Sequence, residues 1–272
     1  MVRFRFELAA IDSIAPWGEP TNPSLSWFAL TWGDFWIDLG HDELFRYAPA
    51  ALATWGLTNP YPDYQVAAFV RDIQSCVAPA ITPLPVEIER LAADVYGLAE
   101  RQSSTRRAAD AMGTDEASDL YYAAWRWLGE RSPCTAYLVQ YPRFHFVRIG
   151  DEIQIGYDNR GCLIDGIPMW AAQIGAYRTS VDSFTAAVTE VSTALLDAMA
   201  ERIDDIDRGR AVPQAPLEVA SLREQHATWD RELSDKFSVT WELELSNKFG
   251  PRQPDVSWDA TIAALTALGA TT

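Results

Sequence analysis

Hydrophobic and polar residues alternate from the start of the chain. Phe4, Phe6 and Leu8 are separated by Arg5 and Glu7, a period of two that predicts a strand with one buried and one charged face. Pro16-Trp17-Gly18, Pro20 and Pro23 then break the chain into a loop. Leu25 to Thr31 and Phe35 to Leu39 read as a hairpin around Trp32-Gly33-Asp34, with a further short strand at Glu43 to Tyr47. Residues 2–47 are therefore expected to form an antiparallel meander. The period changes at Val66, Val70, Ile73 and Val77, which share one helix face as far as Pro79. Ile88, Leu91, Val95 and Leu98 repeat that spacing, whereas Gln102 to Arg107 is uniformly polar and reads as a turn or loop. Thr114 is placed to cap a helix carrying Ala117, Tyr121, Ala124 and Leu128 to Gly129. Helices thus fill 62–130.

A second strand group is expected over 135–175. It comprises Thr135 to Gln140, the pair Arg143 to Ile149 and Glu152 to Asp158 joined at Gly150-Asp151, and Ile167 to Gly175. The longest helix follows, with Thr179 as cap and Phe184, Val188, Val191, Leu195 and Ala198 on one face, ending at Arg202. Leu222, His226, Trp229, Leu233 and Phe237 mark another, so helices cover 180–237. In the remaining tail, 238–272, Val239, Trp241, Leu243 and Leu245 alternate as a strand would, with a continued helix as the other reading. Strands, helices, strands and helices in that order predict a single α+β domain, its mainly antiparallel sheets (2–47 and 135–175) packed against helices.

Composition narrows the function. The 272 residues are 48% hydrophobic, with eleven Trp, which suits a buried core. The formal charge is −16, and of the 22 basic residues only Lys236 and Lys248 are lysines. Acids exceed bases in both halves, so no basic stripe is left for nucleic acid. The first eight residues are too charged for an export signal, and no apolar run approaches the roughly 18 residues of a membrane span. Cys76, Cys134 and Cys162 are too few and too scattered for a disulfide framework. A cytoplasmic chain that contacts neither membrane nor nucleic acid is expected.

Chemistry-bearing motifs are sparse. The sequence contains no phosphate-binding glycine loop, nucleophile elbow or H-E-x-x-H. His41, His145 and His226 stand alone, so neither a metal nor another cofactor is expected. Asp204, Asp205 and Asp207 gather at a helix end beside Arg202, Arg208 and Arg210. Trp17 and Trp32 fall at expected turns, where an aromatic residue either folds back on the sheet or serves as a contact.

Several blocks together resemble a known family. They are Arg3-Phe4-Arg5-Phe6-Glu7-Leu8, Pro16-Trp17-Gly18, Leu25-Ser26-Trp27-Phe28-Ala29-Leu30-Thr31 and Phe35-Trp36-Ile37-Asp38-Leu39-Gly40, followed by Asp158-Asn159-Arg160, Asp165-Gly166-Ile167-Pro168 and Met169-Trp170. Over about residues 1–235 the chain resembles an uncharacterised bacterial family, common in actinomycetes and classed as a domain of unknown function. The resemblance implies a stand-alone cytoplasmic protein and transfers no catalytic residue.

Two expectations follow. The first is an interaction protein of the immunity type that holds a basic protein partner through Trp17, Trp32, Asp204, Asp205 and Asp207. The alternative is an enzyme or small-ligand binder with a cleft between sheet and helices, where Arg143, His145, Asp158, Arg160 and Asp165 are the polar candidates.

Overall fold

A computed structural model describes residues 1–19, 21, 23–234 and 257–270. The alternation at the N-terminus produces β1 (Arg3–Leu8), which pairs antiparallel with β2 (Trp32–Asp38), Phe4 opposite Ile37 and Phe6 opposite Phe35. β3 (Glu43–Leu44) and β4 (Asp63–Gln65) complete this sheet against β2. Between β3 and β4 lies α1 (Pro49–Trp55), closed by Gly56 at φ 63°. The expected hairpin around Trp32-Gly33-Asp34 is corrected. Residues 25–31 form turns and a single 3-10 turn, Ala29–Thr31, and β2 runs unbroken through Gly33. Local side-chain bonds outcompete the strand there: Ala29 N–H donates to Ser26 Oγ (3.2 Å) and Thr31 Oγ1 donates to the Phe28 carbonyl (2.7 Å). Gly33 is required in β2, because a Cβ there would strike the backbone of Glu7 and Leu8 in β1.

The helical middle contains α2 (Val66–Ser75), α3 (Val77–Ile81), α4 (Val86–Ala93), α5 (Val95–Met112) and α6 (Asp115–Gly129). Asp94 caps α5 through the Gly97 N–H (2.9 Å), and Thr114 caps α6 through the Ala117 N–H (3.2 Å). The polar stretch Gln102–Arg107 is not a loop. It lies inside α5, whose buried stripe of Val95, Leu98, Thr105 and Ala109 includes one polar residue. Trp125 Nε1 donates to that Thr105 hydroxyl at 2.8 Å, tying α5 to α6.

The second sheet comprises β5 (Phe144–Ile149), β6 (Glu152–Asp158) and, after the small hairpin β7 (Leu163–Ile164) and β8 (Ile167–Pro168), β9 (Ile174–Ser180). β6 is central, antiparallel to β5 and β9. Two expectations fail here. Residues 135–140 form turns, with Val139 largely exposed, and the single strand over 167–175 is split. Trp170 causes the split: it turns into the core, donates Nε1–H to the Gln140 carbonyl (2.6 Å) and stacks on Tyr47 (5.2 Å).

α7 (Val181–Asp207) is capped by Ser180 rather than Thr179 and continues past Arg202. The Arg202 guanidinium reaches back to the carbonyls of Leu30 and Ala9, fastening α7 to the first sheet. On α8 (Val219–Ser234), Leu222 and Leu233 are buried. His226 Nδ1 accepts from Trp27 Nε1–H (3.1 Å), and Trp229 stacks on Trp27 (4.9 Å). Phe237 and the alternation from Val239 to Leu245 lie outside the described residues. In the tail, α9 (Trp258–Ala267) packs on α6. No helix among the described residues is long and apolar enough to cross a membrane.

The chain is thus α+β, with antiparallel sheets against helices, and the second sheet divides two apolar clusters. Phe144, Phe146, Ile153, Ile155 and Tyr157 join the larger one, with the first sheet, α2, α7 and α8. Val147, on the opposite face, joins Ile88, Leu91, Leu98, Trp125, Trp127 and Leu265 of the α4–α6 and α9 side.

Candidate functional site

On that second face the chain leaves a broad cleft of about 2000 Å³, with α5 and α6 forming one wall and the ends of β5 and β6 the other. Residues Val95, Ala99, Gln102 and Arg106 reach it at spacings of four, three and four, one stripe of α5. From α6 come Tyr121, Tyr122, Trp125 and Arg126. The Arg106 guanidinium lies 5.1 Å over the Tyr121 ring, and Arg126 pairs with Glu130 at 3.0 Å. The α5 residues are absent from the sequence-based candidates because the polar run over 102–107 masks that helix, and those of α6 because its stripe reads as core.

The sheet wall brings together Arg143, His145, Asp158 and Arg160, four of the five cleft candidates. Asn159 builds it. This buried side chain accepts the Arg143 N–H (2.7 Å) and donates to the Ala172 carbonyl (2.8 Å). The Asp158 N–H donates to the Arg143 carbonyl (3.1 Å), closing the end of the hairpin. Asp158 takes the Arg160 guanidinium in a two-pronged pair, 2.9 and 2.6 Å, and accepts the Arg160 backbone N–H as well (3.2 Å). Burial pushes the Asp158 carboxyl up, but these bonds outweigh it and hold the group below the usual carboxylate value. Asp165 is placed elsewhere. It occupies the exposed two-residue turn between β7 and β8, where Asp165 and Gly166 both have positive φ, as a type I′ turn requires.

His145 is the unusual member. It is 8% exposed, and its Nε2 has no hydrogen-bond partner. Burial alone pushes the imidazole down to about 4, so the ring is neutral at physiological pH. It lies over Gly156, its partner across the β5–β6 ladder. A Cβ at Gly156 would collide with His145 Nε2 and sit 3.0 Å from Val95 Cγ2. A glycine inside a central strand and an unbonded imidazole each cost stability, and here the two are packed against each other.

The candidates for partner contact lie outside this cleft. Trp17 is 47% exposed, bridges to Ser24 and meets Phe28 edge-on at 6.1 Å. Trp32 is not in a turn but begins β2, half-buried, its Nε1–H donating to Asp63 at 3.1 Å. At the end of α7, Asp204 pairs with Arg208 (3.5 Å) and Arg223 (3.0 Å), Asp207 with Arg223 (3.0 Å), and Asp205 with Arg210. Among the described residues, His, Cys, Asp and Glu form no group of three or more arranged to hold a metal ion. The three cysteines are unpaired, and burial pushes the Cys76 thiol up to about 12, far from a reactive thiolate.

A family model described as a family of unknown function, DUF5984, matches residues 3–264. No curated protein and no solved structure matches the chain.

Proposed function

The chain belongs to this family of unknown function, so its role has to be read from its own residues, and we propose that it binds a small molecule in the cleft between α5–α6 and the β5–β6 hairpin. The observation that carries this reading is the cleft itself, where Arg143, Asp158 and Arg160 of the sheet wall face Tyr121, Tyr122 and Trp125 of α6. Aromatic walls beside a few convergent polar groups are the usual make-up of ligand sites. The cleft exceeds a typical small-molecule pocket, so the ligand fills part of it.

Reading the protein instead as a partner for a basic macromolecule draws on the −16 charge and on the exposed Trp17. It draws less on Asp204, Asp205 and Asp207, whose charges are met by Arg208, Arg210 and Arg223.

A thermal-shift screen of small metabolites tests the cleft reading. A true ligand at a hundredfold excess over its Kd adds about 2.7 kcal/mol of stability. Ser103→Trp, an exposed position of α5 that faces the cleft, should abolish that shift without lowering the unliganded melting temperature. If no compound stabilises the protein, or the shift survives Ser103→Trp, the cleft is not the site.

A further inference from the structure

The charges of the cleft divide unevenly between its walls. On the helix wall Arg106, Arg107 and Arg126 stand against Glu100, Asp119 and Glu130, which sums to zero. On the sheet wall Arg143 and Arg160 stand against Asp158 alone. Asp158 is committed to Arg160 by two side-chain bonds, and the Arg143 guanidinium has no carboxylate within ion-pair distance among the described residues. A chain with a formal charge of −16 therefore keeps one uncompensated positive charge on this wall, in a cleft walled by aromatic rings. A cation so placed attracts an anionic ligand into surroundings that repel it elsewhere.

Aromatic residues flank that charge. Tyr122 is 61% exposed and Tyr141 45%, and both line the cleft. Exposed rings around a cleft offer stacking area for a planar body at little entropic cost.

We infer that the ligand of this cleft is a small aromatic acid: a planar ring that lies against the tyrosines and a carboxylate or phosphate that meets Arg143. This rests on the cleft reading and deepens it.

Calorimetric titration of the full chain with matched probes decides the matter. The pairs are 4-hydroxybenzoate against 4-hydroxybenzamide, and phenyl phosphate against phenol, which separate the carboxylate source from the phosphate source. In at least one pair the anion should bind about tenfold or more tighter than its neutral twin, and Arg143→Ala should erase that preference. The Arg143 guanidinium is exposed and its backbone N–H bond to Asn159 is retained in the variant, so the fold is not at risk. Equal affinity for the twins, a preference for the neutral one, or no binding of any probe overturns the aromatic-acid inference. If neutral probes bind and Ser103→Trp displaces them, the cleft reading stands while the inference falls; if bound probes ignore Ser103→Trp, both fall.

Discussion

The two faces of the β5–β6–β9 sheet are packed in different ways. One face sinks into a continuous lattice of rings: Phe146 meets Phe4 at 6.2 Å and Phe184 at 5.0 Å, and Phe45 contacts Phe144 at 5.4 Å and Trp170 at 6.2 Å. The other meets helices through Val147, through Gln154, which donates to the Ala92 carbonyl at 2.9 Å, and through a histidine with nothing to bond. The ring lattice gathers more of the buried aromatic side chains than the helix-covered face does. The helix-covered face tolerates polar groups and an open cleft because the lattice already secures the sheet beneath it.

Four measurements press on that contrast. The largest effect belongs to the lattice. Trp170→Ala removes a ring that is 1% exposed and stacked on Tyr47, and should cost about 3–5 kcal/mol, read as a lower denaturant midpoint. A small loss would mean that the lattice is not the stabilising face.

Next is acid sensitivity on the cleft side. The imidazole titrates near its ordinary value, 6.5, in the unfolded chain and near about 4 when folded. The unfolded chain therefore binds the extra proton between these values. The stability tied to His145 is complete above pH 6.5 and falls away as pH drops toward 4, by about 3 kcal/mol in all. The stability of wild type minus that of His145→Leu, followed from pH 7.5 to 4, should show this fall; a flat difference would refute the buried neutral imidazole.

A smaller effect tests the seat of that ring. Gly156→Ala should destabilise by about 1–3 kcal/mol through overpacking. Adding His145→Ala should return part of the loss, since the two side chains compete for one space. Additive losses would mean that the glycine serves the backbone and not the histidine.

The smallest effect is expected far from both faces. Asp204→Asn with Asp207→Asn removes exposed ion pairs to Arg223, and the midpoint should not move measurably. A marked drop would add the end of α7 to the stabilising framework.

The lattice was the more legible half. Period-two alternation over residues 3–8 and 152–158 marks β1 and β6, and the apolar stripe from Phe184 marks α7. The errors arose where local polar bonds or one large side chain override a pattern. Ser26 and Thr31 turn an apolar run into a 3-10 turn, and Trp170 pulls the chain out of a strand. On the cleft side, Arg143, His145, Asp158 and Arg160 were legible as polar residues around a hairpin. The opposing wall was hidden, because α5 buries Thr105 where periodicity looks for an apolar residue. Asp165 misled for the opposite reason: a charged residue beside glycine serves a turn as readily as a site.

Because successive residues of β5 face different packings, the hairpin counts its residues strictly. Phe144 and Phe146 belong to the rings, and His145 and Val147 to the helices. One residue gained or lost between 144 and 149 would turn phenylalanines toward the cleft and thrust the imidazole into the rings. Length can change only where the ladder is open, at the Gly150-Asp151 turn between the paired Ile149 and Glu152. The strand can therefore vary in side chains far more freely than in number, and a sequence that keeps this cleft has to keep the spacing from Arg143 through Asp158, apart from that turn.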